Sequence, residues 1–153
     1  RTQKMNELDF NRSEYQMAEE SSDGVILAEL AQHPSRYIQA RVAGNPNTSR
    51  PIRNTLRENS QGRTGILLWL LGNPSCTREE FALVYHDYIG QPYESNVHNA
   101  LAASPHATES ELTALLRLNQ WCVTIAILNN HAGRNPQSYR KLIKTLLLVM
   151  KIG

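Results

Sequence analysis

Seven arginines and no lysine lie between residues 31 and 78, at positions 36, 41, 50, 53, 57, 63 and 78, against the single acid Glu58. A guanidinium presents a planar fork of N–H donors that matches a carboxylate or phosphate bidentately, which a lysine ammonium cannot do. Arg50, Arg53 and Arg57 stand at i, i+3 and i+7 and are expected to share one helix face. Tyr37 adds an aromatic platform between Arg36 and Arg41. The candidate partner-binding set is therefore Arg36, Tyr37, Arg41, Arg50, Arg53 and Arg57.

The charge is laid out in blocks. The balance is −4 over residues 1–30, +6 over 31–78, −6 over 79–116 and +6 over 117–153, for a net +2. In a stacked array such blocks become stripes of potential. The competing reading is that neighbouring layers simply pair their charges, since surface charge usually contributes little. A nucleic-acid-binding module is the alternative expectation, but it calls for a larger positive charge than +2. The acidic block beside the basic one would repel a long duplex. An acidic peptide or partner domain suits a limited patch better.

Other chemistry finds little support. His86-Asp87 is the one His–carboxylate neighbour pair, and adjacent helical residues point about 100° apart. His33, His98, His106 and His131 are expected to take structural or surface roles. Cys76 and Cys122 have no nearby Cys or His at metal-ligand spacing, so neither a disulfide framework nor a zinc site is expected. No nucleophile elbow, Walker loop or paired-carboxylate motif is present. No catalytic residue, metal or cofactor is assigned. A hydrolase with a dispersed active site is the weakest of three functional readings.

The residues that must position the arginines repeat. Ile38 to Thr48 reads Ile-Gln-Ala-Arg-Val-Ala-Gly-Asn-Pro-Asn-Thr. Related phrases begin at Ile66 and Val97, ending in Gly72-Asn73-Pro74 and Ala103-Ser104-Pro105. A degenerate copy begins at Val123 and ends in Asn129-Asn130-His131. The spacing from Asn45 to Asn73 is 28 residues and from Asn73 to Ser104 is 31. Thr77 with Glu80 and Thr108 with Glu111 form capping boxes at equivalent places after the second and third phrases. Asp23 is a predicted N-cap, and Pro51 suits a first helical turn. Ile66 to Leu71 has no polar face and is expected to be buried all round. Asn129 to Pro136 reads as a loop, followed by a closing helix over 138–151 with Leu142, Ile143, Leu146, Leu147 and Met150 inward. No alternating strand pattern occurs. The pattern predicts about nine short helices in pairs, an all-α solenoid.

These phrases resemble the leucine-rich repeat variant family, related in shape to HEAT and armadillo arrays. The phrase at Ile38–Thr48 and the preceding Leu-Ala-x-His-Pro at Leu30–Pro34 carry the likeness, which spans roughly residues 25–130. The resemblance implies a right-handed α-solenoid, here of about four short helical-pair repeats, with a groove for a protein partner. It implies no catalytic motif. Some family members carry an iron–sulfur cluster in a cysteine-rich segment, which has no counterpart here. The family's repeats are also shorter than the spacings in this chain.

At 153 residues, 41% hydrophobic and 20% charged, the chain has the composition of an ordinary globular protein. No run approaches the roughly 20 apolar residues of a membrane-spanning helix. The start is polar throughout, so no signal peptide is expected. These features together suggest a cytoplasmic protein. Residues 1–22 are expected to be a weak helix or docking tail, with Met5, Leu8, Phe10, Tyr15 and Met17 as its stripe. Residues 23–153 are expected to form one repeat domain.

Overall fold

The computed structural model describes residues 12–60, 63–131 and 136–152. Every regular element among them is a helix, and none is a strand. The chain divides into two compact units, Arg1–Cys76 and Thr77–Gly153, where the sequence suggested one body from residue 23. Of the N-terminal stripe, Met5, Leu8 and Phe10 lie outside the described residues.

The first unit holds α1 (12–20), α2 (Gly24–Leu30), α3 (Arg36–Gly44), α4 (Arg50–Glu58) and α5 (Thr64–Gly72). Asp23 starts α2 as expected, its carboxylate accepting from the Val25 N–H at 2.9 Å. Helices α3 and α5 pack together and form the centre. Ile38, Val42, Leu56, Ile66, Leu67 and Leu70 are all but sealed from solvent. The first helix is tied to this body. Glu14 pairs with His33 at 2.7 Å and Glu19 with Arg41 at 3.2 Å.

The second unit holds α6 (Arg78–Tyr88), α7 (Ser95–Ala103), α8 (Glu109–Leu116), α9 (Trp121–His131) and α10 (Pro136–Ile152). Here α7 packs on α9, and α8 on α10. Phe81, Val97, Leu101, Leu115, Val123 and Ile127 form the core. Leu142 is buried as expected, whereas Leu147 and Met150 are more than half exposed.

The repeat is legible in burial. The first apolar position of each phrase (Ile38, Ile66, Val97, Val123) is buried, and so is the residue four further on (Val42, Leu70, Leu101, Ile127). This is one stripe of a 3.6-residue period, used four times.

The turn residue does two jobs. Asn45, Asn73 and Ser104 each precede a proline, which clashes with a helical conformation in the residue before it. All three adopt extended backbone (ψ 122°, 125° and 137°) and end their helices. The side-chain oxygen then accepts from the N–H two residues on: Asn47 to Asn45 at 2.8 Å, Ser75 to Asn73 at 2.8 Å, His106 to Ser104 at 3.2 Å. Asparagine also carries an amide that reaches back to the preceding layer. Asn45 Nδ2 donates to the Ala18 and Ser21 carbonyls at 3.0 and 2.9 Å. Asn73 Nδ2 donates to the Ala43 and Asn45 carbonyls at 2.7 and 2.9 Å. Asn130 Nδ2 donates to the Ala102 and Ala103 carbonyls.

At Asn130 the fourth copy departs from expectation. The predicted loop at Asn129 is helix, and α9 continues through His131. His131 stands where the other copies have proline, so nothing forces Asn130 out of the helical region. Of the rest of the expected loop, residues 132–135 lie outside the described residues.

Both capping boxes are present. Glu111 serves a second purpose, accepting from Arg78 Nη1 and Nη2 at 2.7 and 2.9 Å, a bidentate pair. Burial raises the Glu111 carboxyl, but the hydrogen bonds from Arg78 and from the Thr108 N–H and hydroxyl outweigh it. The carboxyl is held below the ordinary carboxylate range.

Asn73→Ala removes the donor from two carbonyls and the acceptor from the Ser75 N–H, so urea unfolding should show a loss of about 2–3 kcal/mol. Asn73→Asp keeps the acceptor but turns a carboxylate toward two carbonyl oxygens, so it should be less stable than the alanine variant at neutral pH. Because the Glu111 carboxyl is depressed on folding, its contribution is present above the ordinary carboxylate value and is lost as pH falls through the folded one. The gap in urea midpoint between wild type and Glu111→Gln should therefore be wide at neutral pH and close in acid. A gap that does not change with pH would contradict this assignment.

Candidate functional site

A cavity of the first unit opens between the start of α3 and the start of α5, with a volume of about 320 Å³. Arg36, Tyr37 and Ala40 line it from α3. Arg63, Thr64, Gly65, Ile66 and Trp69 line it from the α5 side. Placement follows from helix geometry. Residues 36 and 40 stand one turn apart with 37 beside them, on the side of α3 away from Ile38 and Val42. Gly65 and Trp69 also stand one turn apart, each directly before a buried residue of the stripe, Ile66 and Leu70.

Arg36 lies over the Tyr37 ring, with its guanidinium carbon 5.2 Å from the centroid, and Nη2 donates to the Tyr37 hydroxyl at 3.3 Å. Tyr37 remains 64% exposed. Arg63 is exposed at the N-cap of α5. Among the described residues, neither Arg36 nor Arg63 has a carboxylate within ion-pair distance. The cavity thus has two cationic rims, two aromatic walls and an apolar floor at Ala40 and Ile66.

Arg41 lies one turn further along α3 and is committed to the scaffold. Its guanidinium carbon lies 4.4 Å from the Tyr15 ring centroid and 4.1 Å from that of Trp69, and Nη1 donates to Glu19 at 3.2 Å. Rings on two sides and a carboxylate fix this cation between α1, α3 and α5. It braces the Trp69 wall and is only 22% exposed at the side chain.

The expected shared face of Arg50, Arg53 and Arg57 does not line the cavity. Arg50 is exposed at the start of α4. Arg53 is interior, 5% exposed, and its Nη1 donates to the Thr48 carbonyl at 2.6 Å. Thr48 in turn donates from its hydroxyl to the Val42 carbonyl, so Arg53 completes the wiring of the turn phrase. Arg57 is mostly covered and faces Glu58 at 3.7 Å. The i, i+3, i+7 spacing carries no information on exposure, and in α4 Arg53 and most of Arg57 are covered while Arg50 is exposed.

Two site residues escaped the sequence reading. Trp69 was expected to be buried with its apolar neighbours, yet is 43% exposed. The signal was available in register, since Trp69 stands four residues before Asn73 just as Arg41 stands four before Asn45. Arg63 was visible in the basic block but had no helix phase to place it.

The remaining titratable groups read as structural or dispersed. His98 is fully buried, with Nε2 2.6 Å from the Tyr88 carbonyl and Nδ1 3.2 Å from Gln120. His33 Nδ1 accepts from the Ser35 N–H while Nε2 faces Glu14. His86 and Asp87 are both exposed. Cys76 is buried and Cys122 exposed, with no disulfide between them. No group of three His, Cys, Asp or Glu side chains among the described residues could hold a metal. No helix among them is long and apolar enough to cross a membrane.

Comparison with family models, curated proteins and solved structures returned no match to this chain.

The Trp69 wall depends on Gly44. A β-carbon there would sit 2.7 Å from Trp69 Cε3, inside contact distance. Gly72 occupies the same place in the next phrase and has open space around it. Gly72→Ala should be neutral or stabilising by up to about 1 kcal/mol through helix propensity. Gly44→Ala should instead displace the indole, costing about 1 kcal/mol or more net and shifting Trp69 fluorescence. Both are best read in a Trp121→Phe background, because Trp121 is exposed and would add a second signal.

Proposed function

We propose that the protein is a non-enzymatic protein–protein interaction scaffold that binds an acidic peptide or partner domain through the α3–α5 face. In this reading the array is a right-handed α-solenoid of about four short helical-pair repeats, akin to the leucine-rich repeat variants. The fourfold burial stripe and the repeated asparagine contacts support that architecture.

One observation carries the function. Arg41, Arg57 and Arg78 each have a carboxylate within 4 Å, and Arg53 has a backbone carbonyl. Arg36 and Arg63 instead flank an open cavity with no carboxylate near them among the described residues. Surface charge that merely balances neighbouring layers would be paired like the first group. Two forked cations facing solvent across a gap suit a carboxylate-bearing chain that enters between them. The small cavity and the limited charge favour such a chain over a nucleic-acid duplex.

Reversal of both rims tests this. Arg36→Glu with Arg63→Glu leaves the core untouched and should abolish binding of acidic peptides. Wild-type binding should weaken steeply between about 0.02 and 0.3 M salt. Equal binding by the double variant would overturn the proposal. So would tight, salt-dependent binding of random duplex or single-stranded nucleic acid with no binding of acidic peptide.

A further inference from the structure

We infer that the α3–α5 cavity selects an acidic segment carrying an aromatic side chain between its carboxylates, with the ring entering the cavity and the acids held at Arg36 and Arg63. This rests on the scaffold reading above and adds the sequence class of the partner.

The composition of the walls decides it. A purely acidic chain would satisfy the two guanidiniums and leave the exposed Tyr37 and Trp69 rings facing water. A ring placed there removes apolar surface from water on both sides of the contact and meets two aromatic walls in stacked or edge-on geometry. Trp69 is held for this by Arg41 on its face and by Gly44 at its edge. Gly65 contributes no side chain, which keeps the mouth open at the start of α5, and a β-carbon there would meet nothing within 4 Å.

Size sets the limit. A volume of about 320 Å³ lies at the bottom of the range of ligand pockets, roughly 300–1,000 Å³. It has room for one ring between two charged rims, not for an amphipathic helix. Arg36 begins α3 and Arg63 is the N-cap of α5, so acids held at both come from separate positions of the bound segment. The segment that fits is therefore extended, with an acid on each side of the aromatic residue.

Two capped peptides of Asp, Glu and Gly, identical except for a central Phe or Ala, provide the probe. They are titrated into the full chain carrying Trp121→Phe, so that Trp69 is the reporter. The Phe peptide should bind about tenfold tighter or more, in line with burial of one aromatic side chain, and should change Trp69 emission. Gly65→Leu fills the mouth from open space and suits a helical position, so it should fold as well as wild type by circular dichroism. It should erase the Phe preference while leaving salt-sensitive binding of the Ala peptide at the rims.

Equal affinity for the two peptides in wild type overturns the aromatic selection and leaves the arginine reading standing. A Phe preference that survives in Gly65→Leu places the ring elsewhere and also overturns it. No binding of either peptide removes both this inference and the scaffold reading on which it rests.

Discussion

Within each unit, asparagine amides at the turn phrases tie helical layers together: Asn45 and Asn73 in the first, Asn130 in the second. A helix that ends at a proline leaves carbonyl groups without N–H partners, and a buried unpaired carbonyl costs about as much as a lost hydrogen bond. Asn45 and Asn73 answer that cost twice over. The side-chain oxygen closes the local turn, and the amide satisfies two carbonyls of the preceding layer. The contact fixes distance and register at once, because both carbonyls must be reached from one planar group. Serine at 104 retains the turn-closing oxygen but has no amide. Asn130 retains the amide and gives up the turn.

The placement of the candidate site follows from that register. Once α5 is set against α3 by the Asn73 bridge, positions flanking the buried stripe on each helix line one cavity. Arg36, Tyr37 and Ala40 then oppose Gly65 and Trp69. Arg41 and Trp69 occupy the same position in successive phrases and lie stacked, so the repeat itself delivers the cation to the ring. Gly44 is required because the indole lies where a β-carbon would be. Its counterpart Gly72 is under no such constraint, so equivalent positions in a repeat need not carry equivalent roles.

Arginine takes at least three physical parts in one block. Arg53 wires a turn from inside, and Arg41 bridges two rings and a carboxylate. Arg36 and Arg63 stand at the rims of a cavity. Composition and spacing treat them alike, since each is a forked cation in a basic stretch. Only solvent exposure and the identity of the nearest acceptor separate a structural cation from one placed for a partner. Glu111 makes the same point from the acidic side: it caps its own helix and clamps Arg78, and that double use lowers its carboxyl.

The sequence alone determined the all-helical character, the helix stops at Asn45, Asn73 and Ser104, and the starts at Asp23, Thr77 and Thr108. Those features rest on local rules: proline excludes the helical region for its predecessor, Asp23 and the two Thr/Glu boxes cap the helices they precede, and apolar residues recur every three or four positions. Local rules also carried Asn45 and Asn73 as turn residues, though not as bridges. The tertiary structure decided which face of each helix meets another, and so which arginines are interior, why Trp69 is half exposed and where Arg63 points. It also decided that α9 runs through the fourth phrase and that the chain divides near Cys76. These depend on contacts between residues some 20 to 30 positions apart, whose energies no short window of sequence contains. A spacing of i, i+3, i+7 aligns three side chains along a helix, but the rotation of that helix against its neighbours sets whether they meet solvent or core.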